Sequence, residues 1–155
     1  MTTSIEAEIR QSTPLSAESA ALLSVLRTAA VLDHQIGEAL KPHGITHSQY
    51  NVLRILAGSA PTGLCGREVG ERMVAQVPDI PRLLERLEAM GLIRRERSAE
   101  DRRHVTAHIT DKGRRLLEEA TPALKQIQEA RMGRLTREQL EQITALLAEV
   151  RGSTR

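Results

Sequence analysis

Apolar residues recur every three or four positions along this 155-residue chain, and only one stretch, residues 92–109, breaks that helical spacing. Two short strand-like runs stand there, 92–97 and 104–109, around a polar turn, Ser98-Ala99-Glu100-Asp101-Arg102-Arg103. A chain patterned this way is mainly α with a small β-hairpin. Ser16 is placed to cap a helix of about 25 residues carrying Leu22, Leu26, Ala29, Ala30, Ile36 and Leu40, ended by Pro42 and Gly44. Residues 1–14 before it read as a loose arm. Thr46 or Ser48 opens a second helix, with Tyr50, Leu53, Leu56 and Ala57 on one face.

A short third helix over 67–73 leads through a turn into a fourth that runs to about residue 90. With Asp79 as its N-cap, Pro81 falls in the first turn, where a missing N–H costs nothing. Ile80, Leu83, Leu84 and Leu87 then face inward and Gly91 closes the helix. Thr110 caps a fifth helix to about residue 132, bent or interrupted at Pro122. Thr136 and Gln139 form a capping box for a last helix through Val150. The order of short helix, turn, helix and hairpin is that of a winged helix-turn-helix, about 46–110, inside a single domain 1–155.

Composition narrows the class. No apolar run exceeds four residues, which excludes a membrane span of about 20 and a signal-peptide core of about 7 to 15. A single cysteine makes no internal disulfide, so a cytoplasmic protein is expected. The 22 basic and 20 acidic side chains nearly cancel, but residues 92–115 carry eight basic against four acidic, leaving the other 131 residues at −2. Such a local basic patch is the footprint of a nucleic-acid reader. The scarcity of aromatics, one tyrosine only, disfavours base stacking on single strands.

The motifs then take on a familiar order. Asp101-Arg102-Arg103 followed by Ile109-Thr110-Asp111-Lys112-Gly113 resembles the wing signature of the MarR family of bacterial transcription regulators. Glu68-Val69-Gly70-Glu71-Arg72-Met73 is similar to that family's Glu-Leu-Ala-Glu-Arg-Leu helix. The run from Arg82 to Ile93 resembles its recognition helix and first wing strand. Ile45 to Tyr50 and Leu135 to Leu140 resemble the openings of its second and sixth helices. One stretch departs: Val77-Pro78-Asp79-Ile80-Pro81 stands where the family has small polar residues.

The expected function is that of a sequence-specific, double-stranded-DNA-binding transcription regulator and not an enzyme; no phosphate-binding glycine loop, His-Glu-x-x-His motif or nucleophile elbow is present. Gln76, Asp79, Arg82 and Arg86 are placed to reach bases or phosphates from the fourth helix, Arg82 foremost because its fork matches both guanine and phosphate. The alternative is that Arg82 and Arg86 pair with Glu85 or Asp79. Arg102 and Arg103 at the wing tip suit a minor groove, with Asp101 orienting a guanidinium by a salt bridge. The competing class is a winged-helix module that binds another regulator.

The resemblance further implies a ligand-responsive repressor, a homodimer held by helices at about 15–41 and 111–151, and a pseudo-palindromic operator. It also implies a small aromatic effector in a crevice that Arg27, His34, Tyr50 and Arg54 would line by position. No metal or cofactor is expected: His104 and His108 lie about 13 Å apart on one strand. Cys65 reads as a small residue in a tight loop.

Overall fold

The structure, a computed structural model, describes residues 4–97 and 105–152. The chain divides into two compact units, Met1–His47 and Ser48–Arg155.

In the first unit, a one-turn helix α1 (Ile5–Glu8) precedes the long α2 (Ala17–Leu40) and a 3-10 turn, Lys41–His43. The loose arm expected over 1–14 is thus corrected: Ser4 caps α1, and Arg27 Nε donates to Glu8 Oε2 at 2.9 Å, tying α1 to α2. Ser16 caps α2 by accepting from the N–H of Ser19, as its sequence position predicts. Gly44 follows at φ +69°, a left-handed conformation that ends the helical path. His47 Nδ1 lies 2.7 Å from Asp33 Oδ1.

The second unit carries α3 (His47–Gly58), β1 (Leu64–Cys65), α4 (Gly66–Arg72), α5 (Ile80–Ala89), β2 (Ile93–Arg97), β3 (Val105–Ile109), α6 (Asp111–Met132) and α7 (Arg137–Val150). The hairpin is in fact part of a three-stranded antiparallel sheet in the order β1-β3-β2. Two residues of β1 are too few to show a period in sequence. Gly63 makes β1 possible: at φ +71°, a Cβ there would strike His108 and the carbonyl of Ala107.

Buried in this unit are Val52, Leu53 and Leu56 of α3, Val69 of α4 and Leu83, Leu84 and Leu87 of α5. Leu92, Ile93, Ala107, Ile109, Leu117 and Ala120 join them. Each large aliphatic side chain among them contributes about 1.5–3 kcal/mol by leaving water. The β2–β3 register pairs Ile93 with Ile109 and Arg95 with Ala107, so the pleat aims these pairs toward the helices. Arg94, Glu96 and His108 take the other face. The helix α6 continues through Pro122 without interruption. One helical hydrogen bond is missing there, but Thr121 Oγ1 donates to Leu117 O at 2.6 Å one residue earlier.

Candidate nucleic-acid interface

The connection between α4 and α5 is fixed at both ends by local chemistry. Asn51 Oδ1, on α3, accepts from the N–H of Val74 at 2.8 Å, holding the first residues after α4. Asp79 caps α5, its Oδ1 accepting from the N–H of Arg82 at 2.9 Å, and Pro81 occupies the first turn. The helices pack at Ile80 and Leu84, which lie where Cβ atoms on Gly66 and Gly70 of α4 would be in ordinary contact with them. The result is a helix-turn-helix whose second helix has one buried and one solvent face.

That solvent face carries Arg82 and Arg86, one turn apart and both exposed. Neither makes an ion pair among the described residues. Glu85 instead faces Arg95 Nη1 at 4.0 Å, and Asp79 is engaged as a cap, so the pairing alternative for the two arginines is not what the structure adopts. Gln76 is exposed in the preceding turn. The wing-tip residues Asp101, Arg102 and Arg103 lie outside the described residues.

Other charges of the 92–115 segment are committed to the fold. Arg95 clasps Glu88 of α5: its Nη2 is 2.7 Å and its Nε 2.8 Å from Oε2, while its backbone N–H donates to Oε1 at 2.9 Å. The Arg95 guanidinium holds the Glu88 carboxyl below the usual carboxylate range, against the opposing pull of desolvation. Arg94 pairs with Glu96, which also faces His108 Nε2 at 3.5 Å. Arg97, Arg114 and Arg115 remain exposed.

The hairpin root is clamped to α6 by the Thr110-Asp111-Lys112-Gly113 motif. Thr110 Oγ1 accepts from the N–H of Gly113 at 3.1 Å and donates to Gly91 O at 2.8 Å. Lys112 Nζ donates to Met90 O at 2.8 Å, placing a cation at the C-terminal end of α5, where the helix dipole favours it. Any Cβ on Gly113 would overlap Leu92 O. The sequence marked this motif as a signature without its mechanical reason. Asn51, Glu88 and Lys112 position these elements through long-range hydrogen bonds to backbone, which leave no periodic trace in the sequence.

Of the residues placed at an effector crevice, Arg27 and His34 lie in the first unit and Tyr50 and Arg54 in the second. Arg27 is engaged by Glu8, and Tyr50 is buried with its hydroxyl 3.3 Å from Thr121 Oγ1. Arg54 lines an open cavity of about 800 Å³ between α3 and α6, with Ala57, Arg114, Leu117, Glu118 and Lys125. Cys65 precedes α4, its N–H donating to Glu68 Oε2 at 2.8 Å, which holds that carboxyl below its usual range. Among the described residues no three metal-ligating side chains gather, and no helix is long and apolar enough to cross a membrane.

A helix-turn-helix followed by a clamped hairpin, with long helices at both ends of the chain, defines a winged helix protein of the MarR type. A family model described as transcriptional regulator SarA/Rot matches residues 35–120, and the chain belongs to this family of MarR-type winged-helix regulators. It is 34% identical over 113 residues to the HTH-type transcriptional regulator TtmR of Methylorubrum extorquens, covering 73% of this chain and 57% of TtmR. It is 31% identical over 93 residues to YkoM of Bacillus subtilis, an uncharacterized HTH-type transcriptional regulator, covering 60% of this chain and 58% of YkoM. The chain therefore spans less than two thirds of the length of these relatives. Among solved structures it is similar to Sco3205, a MarR family regulator from Streptomyces coelicolor in complex with DNA. There the TM-score is 0.81 at 27% identity, over 92% of this chain and 95% of that one.

Proposed function

We propose that the chain is a transcription regulator that binds double-stranded DNA as a homodimer. In this reading α5, expected at 77–90 and observed at Ile80–Ala89 because Asp79 is its cap, enters the major groove, and the wing expected at 92–109 follows the adjacent minor groove. The observation that carries this reading is the solvent face of α5, where Arg82 and Arg86 stand exposed without an ion-pair partner among the described residues. A guanidinium kept out of salt bridges retains its full capacity for phosphate oxygens or the O6 and N7 of guanine. Winged helices dock with the second helix of the motif in the groove. Sco3205, being a DNA complex, supports the same reading.

Dimerisation is supported by apolar side chains left open on two helices. Leu22 and Leu26 of α2 are 58% and 57% exposed, and Leu146 and Val150 of α7 are 53% and 72% exposed. Spaced four apart on each helix, they form stripes that a second copy of the chain would cover. Two reading heads about 34 Å apart, or a multiple of it, then match a pseudo-palindromic operator. Light scattering should give twice the chain mass of 17.1 kDa; a monomer at micromolar concentration contradicts the dimer.

The ligand-responsive repressor role belongs to the same proposal. An aromatic acid effector would find cations at Arg54, Arg114 and Lys125 around the cavity between α3 and α6, with Leu117 and Ala57 as apolar contacts. The functional test is duplex binding by a gel shift with the DNA upstream of its own gene. Arg82→Ala should weaken the complex about tenfold, in keeping with the usual worth of a forked arginine contact of about 1–3 kcal/mol. Unaltered binding would remove α5 from the interface.

A further inference from the structure

The end of α5 that leads into a groove is chemically unlike a donor-rich reading head. Pro78, Asp79, Pro81 and Arg82 are all exposed. Neither proline has an N–H, the N–H of Arg82 is taken by Asp79, and that of Leu83 is taken by Asp79 O at 3.2 Å. In the same connection, Val74 is 81% exposed, more than any other exposed large hydrophobic residue described, while its own N–H is pinned by Asn51. Three apolar surfaces are thus held in water on the segment that carries the two arginines without an ion-pair partner among the described residues.

Neither the core nor an ion-pair network accounts for them. Proline needs no helical partner at these positions, so its presence is compatible with the fold, but the fold does not require its ring to be exposed. In the major groove the one apolar group on a base edge is the 5-methyl of thymine, and small rigid apolar side chains are its natural contacts. Within α5 no side chain before Arg82 can donate to adenine or guanine, and in the connection ahead of it only Gln76, between Val74 and Pro78, carries an amide that could.

We propose that Pro81, together with Pro78 and Val74, reads thymine by its 5-methyl group, and that the operator places thymine beside the position contacted by Arg82. This rests on the DNA-reading function proposed above and specifies what that site prefers. Asp79, with Oδ1 committed to the cap, keeps Oδ2 available to accept from the N4 amino group of a neighbouring cytosine, which fits a pyrimidine-rich step.

The test uses a duplex selected from a randomised pool by the full-length protein, then resynthesised with deoxyuridine replacing thymidine one position at a time. The replacement removes only the methyl group. At one or more positions per half-site, wild-type affinity should fall about fourfold, the usual worth of one buried methyl-sized group. Pro81→Ser or Val74→Ser should bind the thymine and uracil duplexes equally at such a position, with thermal unfolding unchanged for Val74→Ser, whose side chain is exposed, and lowered by a few degrees at most for Pro81→Ser, which frees the unfolded chain. Wild-type protein that binds its selected duplex but ignores every replacement overturns the inference and leaves the DNA-reading function standing. Discrimination that survives both serine variants also overturns it. Failure to enrich any duplex sinks the underlying function and the inference with it.

Discussion

Gly113 and Gly70 are both helical glycines of the second unit, yet they answer to opposite constraints. At Gly113 a Cβ would overlap the carbonyl oxygen of Leu92 and press on Ile109, because α6 starts directly against the backbone of the hairpin root. At Gly70 the nearest atom to a Cβ would be Ile80 Cγ1 at 3.4 Å, an ordinary contact. Gly113→Ala should therefore destabilise by about 1–3 kcal/mol or more, the usual cost of overpacking against a part that cannot move. Gly70→Ala should stabilise by about 0.5–1 kcal/mol, since glycine in a helix interior gives up the most freedom on folding. Urea unfolding of the two variants checks both signs; two changes of the same sign would show the packing around α4 or α6 to be otherwise. The sequence could not separate these two glycines. Each sits in a helical pattern, and what differs is a neighbour 21 residues from Gly113 and 10 from Gly70.

Among the elements, an ion pair seven residues apart, Glu88 with Arg95, joins α5 to β2 beside the Thr110 and Lys112 contacts. The carboxyl of Glu88 is held below its ordinary value of 4.5 by Arg95, so the stability it contributes is present above that value and disappears as pH falls through the lowered one. Glu68, lowered by the N–H of Cys65, adds to the same acid limb. The urea midpoint of the wild type should fall as pH drops below about 4.5. Glu88→Gln, which still accepts from Arg95 but cannot titrate, should start lower at pH 7 and fall less; an identical slope would show that Glu88 carries none of the pH dependence. Helix bounds and caps were largely legible at this scale. Ser16, Asp79, Thr110 and Thr136 each cap where the sequence places them, because capping is local chemistry. The first turn α1 and the strand β1 were not, since both are shorter than any period and exist through distant partners, Arg27 for one and β3 for the other.

For the molecule as a whole, the basic excess of 92–115 has a more specific meaning than its sum suggested. Arg94 and Arg95 are taken up by Glu96 and Glu88, so they serve the fold, while Arg82 and Arg86, outside that segment, have no ion-pair partner among the described residues. Charge counted along the sequence points to 92–115, but which cations stay free of ion pairs among the described residues is decided by strand register and helix face. Helical spacing alone places Arg82 and Arg86 on one face of α5, whereas sequence position does not show that Arg27 and His34 fall in one unit and Tyr50 and Arg54 in the other. We propose that α5 reads duplex DNA through Arg82 and Arg86. Fluorescence anisotropy with a labelled duplex selected from a randomised pool tests it directly, repeated from about 50 to 200 mM salt. The affinity should fall at least about tenfold over that range, since neutralised phosphates release counterions. The Arg82→Ala Arg86→Ala double variant should bind more weakly and with a shallower salt slope, by about one unit for each phosphate that is no longer neutralised. Affinity indifferent to salt, or a double variant that retains both the affinity and the slope of the wild type, would contradict that claim.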